Sequence, residues 1–239
     1  MVSAWAGVNN IVLGQVKVDD KSNEITAIPE LLNLLVLKGC IVTIDAMGCQ
    51  RDIACAIIEQ EADYILALKG NQGNLLEQTE DSFRFLKAKS VSQETDIGHG
   101  RVEQRICTVI DDLSMIEQKE QWKNLQSLVR IEAERYIKST RKTEGNTIYI
   151  SSLSADACLL NKSIRSHWRI ENSLHWTLDV AFNEDNSRKR TGYAAQNFSV
   201  LSRIALNLLK NETTTKCGIK EKRLKAGWDN MYIKKILKI

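Results

Sequence analysis

The sequence predicts an α/β fold, and three observations carry that prediction. Residues 40–44 and 64–68 are short continuous apolar runs rich in β-branched residues. Runs of that kind read as strands covered on both faces, which is the pattern of parallel sheets. Between them, Ile53, Ala56, Ile57 and Gln60 recur at helical spacing, so 40–68 reads as a β-α-β unit with a right-handed crossover expected.

Taken in order, residues 2–6 and 11–18 read as two strands around a Val-Asn-Asn turn, with Val12, Gly14, Val16 and Val18 on one face. A polar loop at 19–23 leads to a helix with Pro29 near its first turn, where a missing N–H does no harm. Its apolar body, 30–37, stops at Lys38-Gly39. Asp45 closes the first buried strand, and Lys69-Gly70-Asn71-Gln72-Gly73 closes the second. A helix is expected over 75–89. Residues 90–153 read as a mostly β insertion, with strands at 102–110, 128–139 and 147–153 and a turn at Thr143-Glu144-Gly145-Asn146. From 155 onward the chain reads as helical, broken near 183–191. The helix over 194–210 carries Phe198, Leu201, Ile204, Ala205 and Leu208 on one face. No firm element is assigned to 211–239. The expected organisation is a core over 1–89 and 154–210, an insertion at 90–153, and a basic tail from 211.

The 239 residues are 43% hydrophobic, ordinary for a globular chain. No run of about 18 apolar residues exists, so no membrane span is expected. The start, MVSAWAGVNN, lacks the features of a secretory signal. Cysteines 40, 49, 55, 107, 158 and 217 form no CxxC pair, and read as free thiols in a cytoplasmic protein. The net charge of +3 conceals an asymmetry: residues 186–239 hold 13 Lys or Arg against 3 Asp or Glu. A basic end on an acidic body suggests a polyanionic partner, and the alternative is a solvated lysine-rich surface.

The most informative stretch is 167–190, HWRIENSLHWTLDVAFNEDNSRKR. As a helix it sets Ile164, Trp168, Leu174 and Leu178 on one stripe, with Glu171 in the middle and His167 and His175 a turn to either side. A carboxylate on a core-facing stripe is costly unless paired, protonated or metal-bound. It is either a rim glutamate paired with Arg165 or Arg169, or part of a site. Zinc held by His167, Glu171 and His175 is a weaker alternative, since no further partner is identifiable. Asp45, ending a strand, either caps the next helix or faces the edge where open α/β sheets bind ligands. The 69–73 loop lies at that same edge. It lacks the Lys-Ser/Thr ending and helix register of a phosphate loop, so its Asn and Gly read as turn formers.

The element order, with acidic residues from separate elements meeting at one sheet edge, fits a ribonuclease H-like fold. Phosphodiester cleavage with two Mg²⁺ ions needs that geometry. TIDAMGCQRDIA, YILALKGNQG and the 167–190 stretch also resemble the signature segments of H-repeat-associated transposases, which are DDE transposases of bacterial insertion sequences. The resemblance runs in order from residue 1 to about 210. It implies a ribonuclease H-like core, here incomplete at its N-terminus, that cuts transposon ends and joins them to target DNA with Mg²⁺ or Mn²⁺. It implies that Asp45 and Glu171 are catalytic metal ligands, matching the family's second and third acidic residues. Lys69, Asn71, Gln72, Arg188, Lys189 and Arg190 are the expected DNA contacts. Where related transposases carry Tyr, Arg and Lys around the glutamate, this chain has Ile164, His167 and Leu178. The family's first aspartate, which precedes the segment resembling MVSAW, is not matched, so a defective enzyme is expected. The partners implied are double-stranded DNA, as transposon ends and target, and no membrane; a homodimer would fit. The alternatives are a non-catalytic DNA-binding remnant and a metal-dependent nuclease.

Overall fold

The computed structural model describes residues 2–18, 24–98, 101–137, 140–168, 170, 174–189 and 191–239. Its strands are β1 (Val2–Ala6), β2 (Ile11–Val16), β3 (Ile41–Ile44), β4 (Asp63–Leu68), β5 (Ser90–Gly98), β6 (Arg101–Ile110), β7 (Ser127–Ile137) and β8 (Thr140–Ser151). Its helices are α1 (Glu24–Asn33), α2 (Arg51–Glu59), α3 (Gly73–Phe85), α4 (Ala157–His167), α5 (Trp176–Phe182), α6 (Ala194–Asn211), α7 (Ile219–Trp228) and α8 (Asn230–Leu237). The chain is mixed α/β and divides into two compact units, Ser22–His167 and Met1–Lys21 with Trp168–Ile239.

In the first unit six strands form one sheet in the order β3-β4-β8-β7-β6-β5. β3 and β4 are parallel, with Thr43 opposite Ile65, and α2 crosses between them. The β-α-β reading of 40–68 therefore holds. β4 is buried almost throughout, as expected, but β3 is only half-buried along its length. The reason is position: β3 ends the sheet, so only one of its edges is paired. The strands of 90–153 continue the same sheet, β8 pairing antiparallel with β4. β5 does not stand out in the sequence because Ser, Gln, Glu, Thr and Asp supply no apolar alternation. It is the other edge strand, and such polarity discourages pairing with a foreign strand.

The segment 143–146 is not a turn. It lies inside β8, where the register with β7 shifts between Glu132 and Glu134 and Gly145 takes φ +23°. Glycine and short polar residues serve a bulge as well as a turn, so composition could not separate the two. Pro29 also moves: α1 starts at Glu24, which puts the proline inside the helix rather than in its first turn. On one face of the sheet Ile65, Ala67, Val109, Val129, Ile131 and Tyr149 pack against Ala157, Leu160 and Ile164 of α4. Asp156 caps that helix, its Oδ1 accepting from the backbone N–H of Cys158 and Leu159 at 2.9 and 3.0 Å.

In the second unit β1 and β2 form an antiparallel hairpin, with Trp5 opposite Val12. Val12, Leu174, Leu178 and Leu206 make its core. The outer edge of β2 is met by a side chain: Asn207 of α6 accepts from Val12 N at 3.0 Å and donates to Val12 O at 2.9 Å, standing in for a strand partner. This amide bond and the pairing of Arg203 with Glu184, 2.8 Å, select which side of α6 is buried. Ser202, Arg203, Leu206 and Leu209 face inward, whereas Phe198, Leu201 and Ile204, from the apolar face read in the sequence, are exposed. Residues 211–239 are folded. α7 and α8 follow α6, and Leu209, Tyr232 and Ile236 share a second apolar cluster. Among the described residues no helix is long and apolar enough to cross a membrane.

The stripe predicted through 164–178 is divided. Ile164 belongs to the core of the first unit, Leu174 and Leu178 to that of the second, and Trp168 is exposed.

Candidate active site

The carboxyl ends of β3 and β4 build the edge that the sequence singles out. Asp45 follows β3 with an extended backbone, φ −71° and ψ 179°, and the chain then tightens into a short 3₁₀ turn over Ala46–Gly48. The Asp45 side chain makes no capping hydrogen bond to that turn and is exposed. Of the two readings the sequence left open, capping is excluded, and the carboxylate faces solvent at the strand end. Alternation along β3 sets Asp45 on the face of Thr43, whose hydroxyl lies 3.0 Å from Nδ1 of His167 at the end of α4.

Gly48 makes the turn possible. A Cβ there would collide with Ile44 Cγ2 and stand 3.0 Å from Ile28 Cδ1. Next to it Cys49 is fully buried, and burial pushes its thiol up to about 12, so it stays protonated and inert.

The loop after β4 holds the turn from the other side. Lys69 is extended and exposed, and Gly70–Gln72 forms a short 3₁₀ turn running directly into α3 at Gly73. The helix register thought to be lacking is present, but the Lys-Ser/Thr ending is not. Asn71 Nδ2 donates to Ala46 O at 2.7 Å. Gln72 Nε2 donates to Cys49 O at 2.9 Å and approaches Gln50 Oε1 at 3.5 Å. These amides bind the backbone on both sides of Gly48, so the loop is a brace for the Asp45 turn. The sequence could not show this, because turn-forming and bracing use the same residue types. Gly48, three residues after a strand-ending aspartate, was the available signal.

Glu171 and Arg190 lie outside the described residues. Arg165, one partner considered for Glu171, is engaged elsewhere, in an ion pair with Asp96 of β5. Arg188 and Lys189 lie in the second unit and are exposed, and Lys189 Nζ sits 3.8 Å from the centre of the Phe198 ring. Burial, followed by the nearby Asp185 carboxylate, raises the pKa of Asp179.

Among the described residues no three His, Cys, Asp or Glu side chains cluster as a metal site. The donors at the Asp45 edge suit a hard cation. A carboxylate uncommitted to capping is present, the Cys49 thiol is protonated, and His167 is bound to Thr43. Asp45 can thus supply one oxygen ligand.

Comparison with known proteins places these observations in a family. A model described as "Transposase DDE domain" matches residues 1–208. The chain is 48% identical over 244 residues to a putative transposase, YncI, of Escherichia coli O157:H7, covering 99% of this chain and 63% of that protein. It is 42% identical over 247 residues to an H repeat-associated putative transposase, YhhI, of Escherichia coli K12, covering 99% of this chain and 65% of that protein. The chain thus spans just under two thirds of the length of these relatives.

Proposed function

The chain belongs to the transposase DDE-domain family, and on that premise we propose that it carries part of the ribonuclease H-like catalytic core of a bacterial insertion-sequence transposase. The reaction is metal-dependent cleavage of transposon ends and their joining to target DNA. The observation that carries this reading is Asp45: an exposed carboxylate at the end of a parallel strand, released from capping and braced by Asn71 and Gln72.

In this reading Asp45 and Glu171 hold Mg²⁺ or Mn²⁺. Bound there, the metal would activate the attacking oxygen and stabilise the leaving one. Lys69 draws the scissile strand to the Asp45 edge by its charge. Arg188, Lys189 and Arg190 bind phosphates without base specificity. Asn71 and Gln72 act chiefly by fixing the turn, with their remaining amide groups available to DNA.

Asp45 and Glu171 are two of the three acidic residues such a core uses, and in this reading these 239 residues by themselves bind DNA without joining it. The test is strand transfer with pre-cut ends and Mg²⁺ or Mn²⁺, run beside a full-length relative. Joining by the relative alone is expected. Joining by this chain at a comparable rate would mean that another of its residues completes the triad. A metal-dependent nuclease would cut without joining, and a DNA-binding remnant would do neither. Neutralising Arg188, Lys189 and Arg190 should flatten the log–log salt dependence of DNA binding by roughly 0.9 for each phosphate no longer neutralised; an unchanged slope would return them to solvated surface.

A further inference from the structure

The sheet face opposite α4 carries a cleft. Leu68, Ile148 and Arg130 stand in one row across β4, β8 and β7. With α3 they enclose a volume of about 450 Å³ at the carboxyl end of β4. Three cations line it, Lys69, Arg84 and Arg130, against one lining carboxylate, Glu80; Arg84 also meets Asp81 at 3.0 Å outside the lining. Arg130 is held by two neighbours: its guanidinium lies over the Phe83 ring, 4.9 Å from its centre, and Glu132 meets it at 3.5 Å. The bulge at Gly145 adjoins Asn146, which also lines the cleft.

We infer that this cleft is a phosphodiester subsite, seating one backbone phosphate with its sugar from the DNA strand that passes the Asp45 edge. The inference rests on the function proposed above and gives that DNA a second foothold. A guanidinium held over an aromatic ring is pre-oriented, and its planar fork suits two phosphate oxygens. Leu68 and Ile148 form an apolar floor, and charge attraction is stronger beside a surface that excludes water. The volume exceeds what a bare phosphate ion needs. Its position adds to the case. β3 and β4 are parallel, so the cleft and Asp45 lie at the same end of the strands, the cleft on the face opposite α4 and Asp45 on the face of Thr43. One glycine separates Lys69, which faces the cleft, from Asn71, which holds the Asp45 turn. A phosphate bound at Lys69 therefore loads the same loop that positions the carboxylate.

The test is anisotropy of a fluorescent DNA duplex over a salt series, using the full chain. In the double variant Lys69→Gln/Arg84→Gln the log–log slope should fall by about 0.9, one phosphate contact. Glu80→Gln should tighten binding about two- to fivefold, which no misfolded variant would do. Lys38→Gln is the control: this lysine pairs with Glu61 at 2.7 Å, at the amino end of the parallel strands, and should leave the slope unchanged. Wild-type slope in the double variant together with wild-type affinity in Glu80→Gln would overturn the inference while leaving the proposed function standing. An equal fall in slope in Lys38→Gln would also overturn it, as diffuse charge. Failure of the unmodified chain to bind the duplex would sink both readings. Displacement of the duplex by equimolar free dAMP would assign the cleft to a nucleotide instead of a DNA strand.

Discussion

In the proposed function Asp45 serves as a ligand, and its side chain is not committed to its own turn. A strand-ending aspartate can turn back to cap the next helical turn, and here it does not. The turn closes without it because Gly48 can pack against Ile44 and Ile28, where no larger residue fits. Gly48→Ala should therefore cost about 1–3 kcal/mol of stability by overpacking, with chemical denaturation as the check. A change below about 0.5 kcal/mol would mean that the turn adapts, and that its geometry is not what fixes Asp45. The sequence placed Asp45 at a strand end because apolar runs bounded by a charge are visible in one dimension. Whether its carboxylate caps depends on backbone angles and on a contact made across the fold.

Among the elements, the 69–73 loop and the last two helices show why some parts were legible and others not. Asn71 and Gln72 form a turn and brace a neighbouring turn at once. Asn71→Ala should weaken Mn²⁺ affinity roughly tenfold or more, as removal of a support behind a metal ligand does, with little change in melting temperature. Unchanged affinity would reduce the loop to a connector. Residues 211–239 are basic with sparse apolar residues, and part of what joins their helices is a buried polar cluster that periodicity does not show. Glu212 accepts from Thr214 N at 3.0 Å and from the Tyr232 hydroxyl at 3.0 Å, with Lys235 at 3.4 Å and the buried Lys222 at 3.6 Å. The Thr214 hydroxyl above all, then those of Tyr232 and Thr215, hold the Glu212 carboxyl well below the usual carboxylate range, against the opposing effect of burial. A depressed folded pKa means stability that is full above the unfolded value of about 4.3 and is lost as pH falls below it. Protection of amides in α7 and α8, taken relative to their intrinsic exchange rates, should therefore fall progressively below about pH 4, and Glu212→Gln should show reduced protection already at neutral pH. Protection that persists equally in the variant would show that Leu209, Tyr232 and Ile236 suffice. On α6, the apolar stripe pointed to the wrong side because Asn207 and Arg203 have partners waiting on the other. Hydrophobic periodicity cannot register such pairings.

At the scale of the molecule, the β-α-β unit, the hairpin and the helices over 155–210 were readable from periodicity, while the helices of 211–239 and the continuity of the six-stranded sheet were not. β8 pairs with β4 across some 80 residues of sequence, and pairing over such a distance leaves no local pattern. In the proposed function Asp45 and Glu171 ligate one divalent-ion site. The most direct test replaces that ion with Fe²⁺ and maps hydroxyl-radical cleavage of the polypeptide after adding ascorbate and peroxide. Cuts are expected near Asp45 and near Glu171 from one saturable site, competed by Mg²⁺. Both cuts should disappear in Asp45→Asn and both in Glu171→Gln, while the melting temperature of Asp45→Asn stays at the wild-type value because the exposed carboxylate does not cap its turn. Cleavage at one stretch that survives substitution at the other, or no cleavage near either, would contradict a shared site.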